Sequence, residues 1–142
     1  MALIGVNVFE TKDYISKQDT DRNDPTIFKI GLLDSQIKSW IIDRISDFEM
    51  SSDNLDDKAK VTFRINERNL ALVKFGLKGI ENLIDPQTKK PVSFKPDVIN
   101  KFGKSYEVIP DRVLNMLSLQ VITELAEEIL KETKLSDEEI KN

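Results

Sequence analysis

The hydrophobic pattern changes period at one residue, Asp34, and that change constrains the fold more than any other feature of the chain. Upstream, residues 26–33 (TIFKIGLL) are β-branched, aromatic and apolar, the make-up of a strand. Downstream, Ile37, Trp40, Ile41, Ile45 and Phe48 recur at spacings of 3, 1, 4 and 3, which is one apolar stripe of a helix. Lys38, Asp43, Arg44 and Asp47 fall mostly off that stripe. Asp34 is a suitable N-cap, because its carboxylate can accept a free amide of the first helical turn. A strand running into an amphipathic helix predicts a helix packed on a sheet.

The remaining segments fill out this picture. Residues 3–9 alternate loosely and read as a first strand, followed by a polar loop over 10–25. Val61, Phe63 and Ile65 alternate with Thr62 and Arg64, which predicts a half-buried strand. Asn66 then fits the cap of a helix carrying Leu70, Val73 and Leu77, weakened or ended by Gly76 and Gly79. Residues 85–90 form a predicted turn between Leu83-Ile84 and Val92-Ser-Phe94, a hairpin, and residues 96–105 read as irregular. Pro110 suits the first position of a helix, and helical spacing runs through Val113, Leu117, Ile122, Leu125 and Ile129. Ser118 leaves open whether this is one helix or two. Ser136 and Glu139 have capping-box spacing for a last helical turn.

The fold class is therefore α+β. A small, mainly antiparallel sheet is packed by an amphipathic helix, with a helical C-terminal segment. The 142 residues are expected to form a single domain. Within it, 1–9 is the N-terminal strand, 10–25 the polar loop, 26–109 the mixed core and 110–142 the helical segment.

Composition narrows the chemistry. The chain has no cysteine, which excludes disulfides and thiolate metal sites. It also has no histidine, which removes the commonest general base and zinc ligand and rules out Ser-His-Asp and Cys-His catalysis within one chain. No apolar run reaches membrane-spanning length, and the first residues lack a basic stretch of the signal-peptide kind, so the cytosol is the expected compartment. No cofactor and no catalytic residue is expected.

Charge is unevenly distributed. Residues 1–57 hold 6 basic and 12 acidic groups, net −6. Residues 58–104 hold 11 and 4, net +7, and residues 105–142 hold 4 and 9, net −5. Such a layout favours pairing either within the chain or between subunits.

Four motifs bear on function. Asp19, Asp21 and Asn23 have the spacing of the first calcium-loop ligands, but Asp24 replaces the required glycine and Ile30 the bidentate glutamate, so a solvated acidic loop is expected. Gly76-Leu-Lys-Gly79 is a GxxG sequence in the most basic third of the chain. With Lys74 and Lys78 beside Gly76 and Gly79, it could clamp a sugar–phosphate backbone as a KH module does. Too few apolar residues follow before Pro86 for a second helix, and Glu81 adds negative charge, so nucleic acid ranks below protein as a partner. Glu124, Glu127, Glu128 and Glu132 form an acidic helix face, read as a solvated surface or a candidate partner-binding face. Trp40 is the only tryptophan, and its phase with Ile37 and Ile41 favours a core position over an interface anchor.

Three stretches, read together, resemble a known family. They are PTIFKIGLLD (25–34), FGLKGIENLID (75–85) and the segment from Ile109-Pro-Asp through ELAEEI (124–129) to the final EIKN. The layout is similar to small morphogenesis proteins of tailed bacteriophages, tail-assembly-chaperone-like, and the similarity spreads over most of the chain. The resemblance implies a non-enzymatic protein that binds other phage proteins: tape-measure protein, tail-tube subunits or head and neck subunits, or copies of itself. A minor structural component of the virion head, neck or tail is the alternative role. Either role implies the host cytoplasm or the virion as its location.

Overall fold

The computed structural model describes Ala2, residues 10–41, residue 43 and residues 57–141; for 57–64 and 134–141 it describes the helical backbone alone. The expected strand over 3–9, the stripe positions Ile45 and Phe48 and the side chain of Phe63 lie outside the described residues or side chains.

The described chain is α+β, as expected. Strands β1 (Thr11–Tyr14) and β2 (Ile27–Gly31) precede a helical segment α1 over 35–41. Helix α2 (Asp57–Gly76) leads directly into strand β3 (Leu77–Glu81). Strands β4 (Asp97–Lys101) and β5 (Lys104–Val108), the short helix α3 (Asp111–Leu114) and the long helix α4 (Leu119–Lys141) complete it. One antiparallel sheet has the order β1-β2-β3, and β4 and β5 form a separate antiparallel pair.

The switch at Asp34 holds. Phe28 and Ile30 of β2 are buried, as are Ile37 and Ile41 of α1. The Ile37 amide donates to Asp34 Oδ1 at 2.9 Å, so the carboxylate satisfies one of the orphan amides of the first turn.

Several expectations fail. The alternating residues 61–65 are not a strand, and Asn66 caps nothing; both lie inside α2. Five alternating residues are too few to fix a period. They sit in a run with neither glycine nor proline between Asp57 and Phe75, and α2 packs along α4, which rewards the helix. Ile65, expected in the core, is 42% exposed. The polar loop over 10–25 contains β1, an exposed strand held by its pairing with β2 and by contacts to α4. Residues 96–105 are ordered as the β4–β5 hairpin, whose two-residue turn is Phe102-Gly103, both at positive φ (55° and 72°). The expected hairpin around residues 85–90 is a turn closed by one bridge, Ile84 to Pro91, with the Val92 amide on the Leu83 carbonyl.

At the C-terminal end the open question resolves into two helices. Pro110 stands one residue ahead of α3, its carbonyl accepting the amides of Val113 and Leu114. Ser118 separates the helices and caps α4, its Oγ accepting the Val121 amide at 3.2 Å. Ser136 caps no separate turn, since α4 runs through it without a break. The core joins β2, α1, the C-terminal half of α2, β3, the end of β5 and α4 in one cluster, with Val73, Leu125 and Ile129 fully buried. Among the described residues no helix is long and apolar enough to cross a membrane.

Candidate functional site

The end of the three-stranded sheet, the start of α1 and the β4–β5 hairpin enclose a cleft of about 760 Å³. Leu33, Ile37 and Phe75 form its apolar floor, and Lys78, Tyr106 and Glu107 contribute polar atoms. Two of those groups are positioned by their neighbours. The Tyr106 hydroxyl donates to Asp34 Oδ2 at 2.8 Å, tying the hairpin to the cap of α1. Burial, and then the Asp34 carboxylate, push the Tyr106 phenol up to about 12.

Lys78 reaches the cleft by crossing Gly31. A Cβ on Gly31 would lie 2.8 Å from Lys78 Cγ and 2.9 Å from Cε, so the glycine makes room for the lysine stem. The ammonium donates to the Phe75 carbonyl at 2.7 Å, one of the orphan acceptors at the C-terminus of α2. Burial lowers the Lys78 pKa from its ordinary value, and Glu107 and Asp34 partly oppose that through space.

The GxxG residues are thereby redistributed. Gly76 ends α2, pressed against α4, where a Cβ would lie 2.8 Å from Ile129 side-chain carbons. Gly79 pairs with Lys29 inside β3, and Lys74 pairs with Asp111 at 3.4 Å. The four residues are a helix end and a paired strand, so the strand-helix-GxxG-helix-strand order of a KH module is absent from the described residues. A glycine pair reads alike whether it frees a loop or admits a neighbour, and only the packing distinguishes the two.

Three of the four acidic-face residues turn inward to their own chain. Glu124 accepts the Ser16 hydroxyl and the Lys17 amide, both at 2.7 Å. Lys12 bridges Glu132 at 2.8 Å and Glu128 at 3.4 Å, while Glu127 faces solvent. Burial, followed by the Glu124 carboxylate, raises the Tyr14 phenol to about 12. The acidic face therefore holds β1 and the turn after it against α4.

In the acidic loop, Asp19 accepts the amides of Asp21 and Thr26, and Asp21 accepts those of Asn23 and Asp24. These carboxylates organise the loop backbone as Asx turns do. Trp40 is half-buried, with its ring edge-on to Phe75 at 5.8 Å and Lys101 Nζ 4.0 Å above it. It borders a shallower groove of about 490 Å³ that includes Leu70 and Ile99.

Sequence reasoning missed the hairpin and its tip. Phe102 is 47% exposed and adopts φ 55°, a left-handed conformation unusual for a bulky side chain. Val98 on β4 is 62% exposed. The available signal was Phe-Gly between two runs of alternating residues, a weaker form of the Asn-Gly turn signature. In comparisons with protein-family models, curated proteins and solved structures, nothing matches the chain.

Proposed function

We propose that this chain is a non-enzymatic protein–protein interaction module of tailed-phage assembly, tail-assembly-chaperone-like, acting on other phage proteins. The resemblance over residues 25–34, 75–85 and 109–142 is its sequence basis. The observation that carries the reading is the β4–β5 tip. A two-residue hairpin turn with two positive φ angles favours asparagine followed by glycine. Here the first position holds Phe102, exposed and strained, with exposed Val98 on the same hairpin. Local stability gains nothing from an exposed aromatic in that conformation, whereas an interface does, because aromatic side chains anchor binding.

Phe102→Asn separates the two demands. The substitution should leave the fold intact or raise its melting temperature, while weakening binding to the cognate protein by about 2 kcal/mol or more, the scale of an interface anchor. Co-expression with the neighbouring head, neck and tail genes, followed by co-purification, identifies that protein. A chain that captures none of them, or a variant that binds its partner as tightly as the parent, would overturn the reading.

A further inference from the structure

The cleft beside Tyr106 holds a cation whose charge is not neutralised at contact distance. Lys78 donates to a backbone carbonyl, and among the described residues no carboxylate forms an ion pair with it. Asp34 is engaged, with one oxygen on the Ile37 amide and the other on the Tyr106 hydroxyl. Glu107 is exposed on β5. A partly buried ammonium with no carboxylate in contact is less favourable than one in water, and a ligand anion relieves that. The volume lies in the range of ligand pockets, which combine apolar walls with a few convergent polar groups.

We propose that this cleft docks a segment of a partner protein that presents a carboxylate among apolar side chains, with the Lys78 ammonium receiving the carboxylate. The inference rests on the reading of the chain as a protein-interaction module and names the chemistry of one contact. A single carboxylate fits better than a phosphate. Val98, 62% exposed, and half-buried Leu32 offer apolar surface above the floor of Leu33, Ile37 and Phe75, and Asp34 and Glu107 repel a dianion more strongly than a monoanion. Binding adds a counter-charge, so it should raise the lowered Lys78 pKa.

The test uses the intact chain and two pools of blocked peptides, apolar at the flanking positions and carrying either glutamate or glutamine at the centre. Binding is followed by titration calorimetry and by NMR shifts at Leu33, Ile37 and Tyr106. The glutamate pool should bind about tenfold more tightly, the scale of one hydrogen bond to a charged group. Lys78→Met should abolish that preference and Lys78→Arg should retain it. The preference should also fade with rising pH before an ordinary lysine would deprotonate, in a setting where Asp34, Glu107, Tyr106 and Lys104 face the cleft.

Equal binding of the two pools to the parent chain, which requires no variant, would overturn the proposal, as would absence of binding or a preference that survives Lys78→Met. Sedimentation adds one further arm: dissociation of a self-associated form by either pool would assign the cleft to a second copy and overturn it as well. Failure here with partner binding still sensitive to Phe102→Asn would remove the cleft and leave the interaction module standing.

Discussion

The Tyr106 hydroxyl donates to Asp34 Oδ2 at 2.8 Å, so the residue that caps α1 also anchors the β4–β5 hairpin 72 positions along the chain. Tyr106 and Tyr14 are the only tyrosines, and both phenols are raised to about 12, chiefly by burial and then by Asp34 and Glu124 respectively. In the unfolded chain both should titrate near 10. Above that pH the unfolded state loses its phenolic protons first, so it binds fewer protons than the native state and stability falls with rising pH. The contribution is fully present below pH 10 and is lost as pH rises through about 12. Ultraviolet titration should find little tyrosinate in the native protein at pH 10.5 and a clear signal in denaturant; matching curves would refute the assignment.

Trp40 reports on the junction of α1, α2 and β4. Full burial of a tryptophan side chain gives a cost of about 3–5 kcal/mol on replacement by alanine. Trp40 is only half-buried, with the Phe75 ring at 5.8 Å and the Lys101 ammonium at 4.0 Å. Trp40→Ala should therefore cost about 2 kcal/mol in denaturant unfolding, below the fully buried range. Its fluorescence should be partly quenched by acrylamide, and complete protection would contradict the half-buried placement.

Gly76 and Gly79 respond to alanine in opposite ways. At Gly76 a new Cβ would stand 2.8 Å from two Ile129 carbons, buried at the α2–α4 contact. Overpacking costs about 1–3 kcal/mol and should outweigh the roughly 1 kcal/mol gained in helix propensity. At Gly79 the nearest atom is Lys29 Cγ at 3.4 Å, on a side chain that can move aside. Thermal melts should show Gly76→Ala clearly destabilised and Gly79→Ala close to the parent; the reverse order would indicate that the glycines serve a free loop.

Asp19 stabilises its loop through backbone amides. Asp19→Ala removes two acceptors, for the amides of Asp21 and Thr26, and should cost about 1 kcal/mol given the exposure of the loop. Millimolar calcium should leave the melting temperature of the parent chain unchanged, because the sequence lacks the loop glycine and bidentate glutamate. A calcium-dependent rise would show that the carboxylates exchange their amides for the ion.

The charge layout yields one more experiment. The pairs at Lys12, Lys29 and Lys74 all join groups within the chain, and all are exposed on at least one side. Such pairs contribute about 0–1 kcal/mol each and are screened by salt. Association directed by the +7 middle segment and its acidic flanks should weaken partially from low to high ionic strength in sedimentation, and a strict monomer at every salt concentration would oppose it.

Much of the fold is legible where a local pattern and its local consequence coincide. Asp34 announces a cap because the amide it satisfies is three residues away, and β2 and α1 follow from the change of period there. At Ser118 the sequence left one helix or two open, and the structure decided for two, with the Ser118 hydroxyl capping the second. The long helix α4 was legible because its apolar positions repeat over many turns. The errors lie where a short pattern fits two structures. Residues 61–65 alternate over five positions, too few to exclude a helix, and they lie in the unbroken helical run of α2.

The candidate site was still less legible, because it is made by distant segments. The sequence by itself determined the α+β class, the Asp34 cap and the exclusion of histidine and cysteine chemistry, since these depend on residue type and local spacing. Only the tertiary structure decided that Gly31 gives passage to Lys78, that Gly76 receives Ile129 and that Glu124 holds Ser16. Each is a contact between residues far apart in the chain, formed because burying a shared apolar core brings those surfaces together and leaves their polar groups to find one another.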